Sequence, residues 1–588
     1  MGFNKLENWP PPRDERGGIA GKQGSDVPMS VSEADPEPGR TNADRYITSQ
    51  IAVHDRTQLE AVFDYSLLEQ SPGKRAKLLR YEVEAFLFFP RQMGIKPHNY
   101  PKERFYNDLR PLIRLREPEM SYKQLLGVGA GSSRSPINVV RSFVAEAAKG
   151  SKLGDEKLIV DEARLFACSF VSYLLRRVER RAKKIRKVYR EKISANTADS
   201  AVTDEFIDTL TNASEILSKS YNLMREWRRI VADCRKLPED RAKLLRNEVM
   251  FVDEYMAYRF RDGVARMIRI LNSVDPLAAG AEFQAFRRKL RAYSRLEHWY
   301  SDRAGFVWVD RGSLPTEIEH YVYRRGALKR RVWRVLYLAV RTRPMFAFQQ
   351  QLGAMIAAGL AAFWAVAAEI VIRSRAMSSG GNLFQHLSGG TFVLITAFIL
   401  AYILKDRIKE VGRSYFRSGP FVKIPDNSER IYFETASGHK WQIGSISEYT
   451  KFLTPDRIPE EIRKLRQLAD PDGLEADDGP EDVIKYRKVI RLRPEILGRY
   501  FYPINAVHDI LRLNVHAFLS KLDDPEQSTE ILDPSGKVIE MKMPKVYHMD
   551  VVLKYSRLGK SSDASAAIHD HIRLVINKKG LYRIERLS

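Results

Sequence analysis

Two long apolar stretches in the middle of the chain, Phe346 to Ile372 and Phe384 to Leu404, constrain its fold more than any other feature. Each approaches the roughly 20 residues with which an α-helix spans a hydrocarbon layer of about 30 Å. The segment between them, Arg373 to Leu383, is short and turn-rich. Two helices joined this way must fold back as an antiparallel hairpin, which leaves both long flanks on one side. A buried hairpin inside a soluble protein would read similarly, and Gln349-Gln350-Gln351 and the intramembrane polar residue Glu369 are what it would need. Apolar character on every face over this length favours a membrane.

Charge assigns the side. Arg324, Arg325, Lys329, Arg330, Arg331, Arg334, Arg341 and Arg343 precede the first stretch, and Lys405, Arg407, Lys409, Arg413 and Arg417 follow the second, whereas the loop holds only Arg373 and Arg375. The positive-inside rule then expects both termini in the cytoplasm and the hairpin in the inner (plasma) membrane. Most of the 588 residues belong to water: 29% are charged and the mean hydropathy is −0.37, which excludes a polytopic transporter. The first residues carry no apolar h-region, so insertion is expected to rely on the internal stretches. Two cysteines, Cys168 and Cys234, cannot supply a disulfide framework or a thiolate metal site and point to a reducing compartment.

A formal charge of +23 raises the question of nucleic acid. Much of it is juxtamembrane, where anionic head groups attract each Lys or Arg by about 1 kcal/mol. A second block runs from Arg176 to Lys187 at the end of a helix beginning near Glu156. Within these blocks Arg180, Arg181, Lys183, Lys184, Arg330 and Arg331 are the residues expected to face lipid, the first four reading also as the solvated end of a long helix. The expected partners are therefore the bilayer, its anionic head groups and a protein partner or second copy, with nucleic acid disfavoured; no cofactor is expected.

Along the chain the pattern divides into six segments, and the fold class expected is a multidomain α+β membrane protein. Residues 1–44 are poor in apolar side chains and read as a disordered tail. A small α+β domain follows over 45–135, with strands at Tyr46–Val53 and Tyr81–Phe89, the second stopped by Pro90, and helix around Phe105–Leu115 and Tyr122–Leu126. Helical periodicity fills 136–343 and suggests an antiparallel bundle, since strict heptads do not persist. Beside the first apolar stretch, Trp308, Trp333 and Tyr337 fit an aromatic belt or an ordinary core role. The transmembrane hairpin takes 344–404. A juxtamembrane helix, a hairpin and an acidic linker take 405–481. A β-rich C-terminal α+β domain takes 482–588, with hairpins about Pro534–Gly536 and Lys578–Gly580 and a helix-like run Ile504–Leu522. Strands at the two ends of the soluble part could also pair across the bundle.

Chemical candidates are few. In Ile568-His569-Asp570-His571, His569 and His571 would share one face of a strand and could hold a metal with His548 or Asp550 as a further ligand. His54-Asp55 and His508-Asp509 resemble a phosphohydrolase step without its other ligands. Gly127–Arg134 is glycine-rich but follows a helix and lacks a Walker lysine. No nucleophile elbow, H-E-x-x-H, kinase or EF-hand signature occurs. The function expected is a membrane-anchored scaffold or signalling adaptor. An oligomeric channel with Glu369 near its pore and a membrane-tethered metal-dependent enzyme are the alternatives.

Overall fold

The computed structural model describes residues 46–67, 78–129, 132–150, 154–194, 200–238, 242–273, 280–344, 346–378, 390–418, 425–435, 438–468, 481–497, 504–558 and 567–587. The tail 1–44 and the acidic run 470–480 lie outside these residues. Asn42–Ser588 hold together as one unit.

Two antiparallel sheets face each other, and each draws strands from both ends of the chain. The smaller has the order β1 (Ile47–Asp55), β2 (Gln58–Ser66), β9 (Ala506–Asn514), β4 (Leu109–Leu115). The larger runs β14 (Gly580–Arg586), β13 (Ile568–Asn577), β12 (Tyr547–Arg557), β3 (Leu79–Phe89), β8 (Asp482–Leu492), β7 (Lys440–Leu453), β6 (Asn427–Glu434), β5 (Ala339–Pro344). The separate domains expected over 45–135 and 482–588 therefore share both sheets. The cause lies in β3, which buries Tyr81, Val83, Leu87 and Phe89 on one face and Phe86 and Phe88 on the other. A strand apolar on both faces needs a neighbour at each edge, and the neighbours are distant in sequence: Leu553 and Tyr486 both stand opposite Ala85. Phe86 and Phe88 are covered by Ile462 of α11 (Glu460–Leu468). Between the sheets Phe63 meets Tyr555 edge-on and Tyr65 lies 5.0 Å from Tyr81.

Two stretches expected as helix are strand. Ala506 to Leu511 are buried without interruption and form β9, because a strand covered on both faces shows no alternation and reads like a buried helix. The helix α1 (Lys102–Asp108) gives way at Leu109 to β4; Pro111 is tolerated because β4 is an edge strand. Gly305–Val309 adopts no regular element. A hairpin of β10 (Glu526–Leu532) and β11 (Val538–Pro544) stands apart from both sheets.

The middle of the chain is a bundle of α3 (Pro136–Ala148), α4 (Glu156–Ser194), α5 (Ser200–Lys236), α6 (Lys243–Leu271), α7 (Gly280–Ala304) and α8 (Pro315–Trp333). Helix α6 runs through its centre against α4, α5, α7 and α8. It buries Glu248, Asp253 and Glu254, and each carboxylate is met by an arginine from a neighbouring helix. Arg164 and Arg331 reach Glu248 at 2.8 Å, Arg324 reaches Glu254 at 2.8 Å, and Arg228 bridges Asp253 at 3.2 Å and Glu297 at 2.8 Å.

Helices α9 (Phe346–Ser378) and α10 (Gly390–Ser418) pack side by side, and residues 379–389 are too few to run back along either one, so the pair is antiparallel. Its base is clasped by β5 and β6, whose Pro344 and Asn427 stand opposite each other at the edge of the large sheet. Where the hairpin closes, Ala357 and Ala361 are buried, while Met355, Leu360, Val366 and Ile370 of α9 and Ile395, Ile399 and Ile403 of α10 are exposed and Phe363 is 75% exposed. Among the described residues one helix, over Ala354–Val371, is long and apolar enough to cross a membrane, where the sequence suggests two. The apolar run of α10 gives way to Lys405, Asp406, Arg407, Lys409 and Glu410.

Candidate functional site

The basic block at the end of α4 forms one wall of a cleft of about 480 Å³. Arg177, Arg180, Arg181 and Lys184 recur at the three- and four-residue spacing that puts them on one helix face. The opposite wall is Asn212, Glu215, Ile216 and Lys219 of α5, and Tyr173 of α4 and Tyr122 of α2 (Tyr122–Leu126) close one end. Local sequence places Tyr122: Ser121 and Gln124 form a reciprocal cap at the start of α2, and Gly127 ends it in the left-handed conformation. The Asn138 side chain then donates to the carbonyls of Gly127 at 2.8 Å and Ser132 at 2.9 Å. The described part of the glycine-rich loop is thus tied down by Asn138; Ala130 and Gly131 lie outside the described residues.

Five cations line the cleft against the single carboxylate of Glu215. Lys219 pairs with Glu215 at 2.5 Å and Lys184 with Glu205 at 2.9 Å. The Arg177 guanidinium lies 4.1 Å from the centre of the Tyr173 ring. Burial raises the Tyr173 hydroxyl pKa, and the charges of Arg177 and Lys219 partly offset this. Among the described residues Arg180 donates only to the Arg176 carbonyl at 3.3 Å, and Arg181 makes no hydrogen bond or ion pair. One turn before Arg180 on α4, Arg176 reaches Glu117 at 3.3 Å and also Glu119. Glu117 in turn takes Arg114 at 2.8 Å and stands 3.9 Å from His508. Burial would raise the Glu117 pKa, but His508 and Arg114 hold it well below the usual range.

The residues expected to face lipid therefore divide. Arg180, Arg181 and Lys184 turn into the cleft, and Lys183 is exposed outside it. Arg331 is spoken for by buried Glu248, whereas Arg330 is exposed. Trp308 lies under Arg261 at 4.1 Å, and the Trp333 indole donates to the Tyr255 hydroxyl at 2.6 Å, so both rings belong to the bundle. Glu369 is half-buried on α9.

The expected metal site does not assemble. His569 and His571 do share a face of β13, but His571 Nε2 lies 3.3 Å from Asp550, which is also bound by Arg573 and Arg466 at 3.0 Å each. Burial would raise the Asp550 pKa; His571, Arg573 and Arg466 hold it down to about 2. Two guanidiniums on the one buried carboxylate repel a cation. His569 instead stands 3.7 Å from Glu461, and His548 sits opposite Val575, four residues or about 13 Å along β13 from His571. Among the described residues no group of three His, Cys, Asp or Glu side chains could hold a metal ion. The two His-Asp steps separate too, because neighbours on a strand point to opposite faces. His508 pairs with Asp64, while Asp509 takes Lys488 at 2.8 Å.

Sequence patterns left two things hidden. Tyr122, Asn212 and Lys219 enter the cleft from other helices, and only the i, i+3, i+4, i+7 spacing of like charges on α4 could have flagged it. Lys488, fully buried, ties β8 to Asp509 of β9, beside Glu448 at 3.9 Å, whose carboxylate accepts from Tyr486 at 2.6 Å. Burial opposes the charge on Lys488, but Asp509 and Glu448 keep it protonated. No family profile, curated protein or solved structure matches the chain.

Proposed function

We propose that this protein is a membrane-anchored scaffold or signalling adaptor, held at the cytoplasmic face of the inner (plasma) membrane by the α9–α10 hairpin. The observation that carries the reading is the inverted side-chain distribution of that hairpin. Among its described side chains the fully buried ones are Ala357 and Ala361, and large apolar side chains face outward. Small residues at i and i+4 let helices approach closely in lipid, where burying large apolar groups between them gains little; in water the same arrangement would expose a patch far above what soluble proteins carry.

Strand pairing supports two crossings even though α10 is the less apolar helix. A chain that crosses at α9 must return, because β5 and β6 hydrogen-bond to each other on either side of the hairpin. The arginines and lysines at its base favour the cytoplasm, and the exposure of Arg330 leaves it open to anionic head groups. Cysteine labelling tests the reading. Ser378→Cys, at the far end of α9, should react with a membrane-impermeant maleimide on intact cells. Ser528→Cys, on exposed β10, should react only after permeabilisation. Cys168 and Cys234 are buried, with thiol pKa values raised by burial, and should stay silent. Labelling of Ser378→Cys that also requires permeabilisation would refute the anchor.

A further inference from the structure

The cleft on α4 carries charge that the fold itself does not need. Arg177 and Arg181, and Arg180 and Lys184, are like-charged pairs four residues apart, each of which costs a helix about 0.2–0.5 kcal/mol. Within the described residues only Lys184 and Lys219 of the lining cations have carboxylate partners. A concave basic wall concentrates the field and attracts anions. Arginine forks match two phosphate oxygens at once, which a lysine-only patch would not do. The volume of about 480 Å³ exceeds what one phosphate fills and falls within the roughly 300–1,000 Å³ of clefts that hold small organic ligands. Besides the polar Asn212 and the carboxylate of Glu215, the remaining lining is aromatic or apolar, and Tyr122, half-exposed, and Ile216 form a flank beside the cations.

We propose that this cleft binds a small organic phosphate of the nucleoside di- or triphosphate class, its phosphates held by Arg177, Arg180 and Arg181 and its planar ring laid against Tyr122 and Ile216. Aromatic stacking contributes about 1–3 kcal/mol per base in comparable settings, so both halves of the ligand would be recognised. The assignment is independent of the membrane reading.

The test uses the full chain purified in detergent, with inorganic pyrophosphate and with a nucleoside triphosphate, followed by calorimetry and thermal melting. Both ligands should bind and raise the Tm. Arg181→Glu should weaken both roughly tenfold or more, as expected for loss of a charge-assisted contact, while leaving the ligand-free Tm equal to or above the parent's because repulsion on α4 is relieved. Tyr122→Ala should weaken the triphosphate and leave pyrophosphate unchanged. Arg186→Glu, exposed on the same helix outside the cleft, should change neither. The proposal is overturned if neither ligand binds at millimolar concentration, if Arg186→Glu weakens binding as much as Arg181→Glu, or if Tyr122→Ala treats the two ligands alike. Vesicles rich in anionic lipid form the other arm. Binding to them that depends on Arg181 and resists competition by the triphosphate would assign the phosphate to a lipid head group and overturn the nucleotide assignment.

Discussion

The helical bundle and the helical hairpin are built from the same element by opposite rules. Helix α6 buries large side chains together with three carboxylates, each neutralised by an arginine from a neighbour. Helix α9 buries alanines and exposes phenylalanine, leucine and isoleucine. In water, association is driven by removing large apolar surface, and a buried charge survives only when paired. In lipid, apolar surface has nothing to escape from, and close backbone approach decides the contact. The difference is the one that the proposed anchor requires, with water around the bundle and lipid around the hairpin.

Arg228→Ala would strike the comparison hardest. It strands Asp253 and Glu297 without their shared cation, and removing one partner of a buried pair typically costs about 3–5 kcal/mol. The expected outcome is a large drop in the urea midpoint or in the Tm of the whole chain; a change under about 1 kcal/mol would mean that the bundle tolerates unpaired charge.

The pH dependence sharpens the same contrast. Burial, helped by the negative charge of Glu297, raises the Asp253 carboxyl to about 6, even though Arg228 and Tyr300 pull it down. Asp550 of the sheet, with two arginines and His571, is held at about 2. For Asp253 the folded pKa exceeds its ordinary value of 3.8, so its contribution is fully present below about pH 4 and lost as pH rises through 6. For Asp550 the contribution is present above about pH 4 and lost as pH falls through 2. Each is worth on the order of 2–3 kcal/mol. Asp253→Asn should flatten the stability profile between pH 4 and 6, and Asp550→Asn should flatten it between 4 and 2. Swapped windows would refute the assignment.

In the hairpin, Ala361→Leu should separate the helices at a cost of about 1–3 kcal/mol from overpacking. Phe363→Ala should scarcely change helix pairing in detergent, read by crosslinking across α9 and α10. If the phenylalanine matters more than the alanine, the hairpin follows the rule of the bundle. The smallest effect is reserved for two neighbours: Arg330→Ala should stay within about 0.5 kcal/mol of the parent, whereas Arg331→Ala should lower stability measurably by releasing buried Glu248.

The bundle helices, β3, the turns of the C-terminal hairpins and the apolar stretch of α9 are legible in the sequence, because each is specified by a period of 3.6 or 2 or by a turn dipeptide a few residues long. β9 was not, since a strand covered on both faces loses its alternation. The basic residues of α4 were visible as a block, but the sequence alone could not say that they line a cleft. That required Lys219 and Tyr122 to arrive from other helices. Nor could it say that Arg331 belongs to Glu248, 83 residues away in sequence, or that β3 pairs with β12. Local periodicity determines which elements form and which of their faces avoid water. Which faces meet is decided only when the whole chain closes, because buried strand edges and buried charges must find partners, and any partner of the right chemistry, however distant along the chain, can supply them.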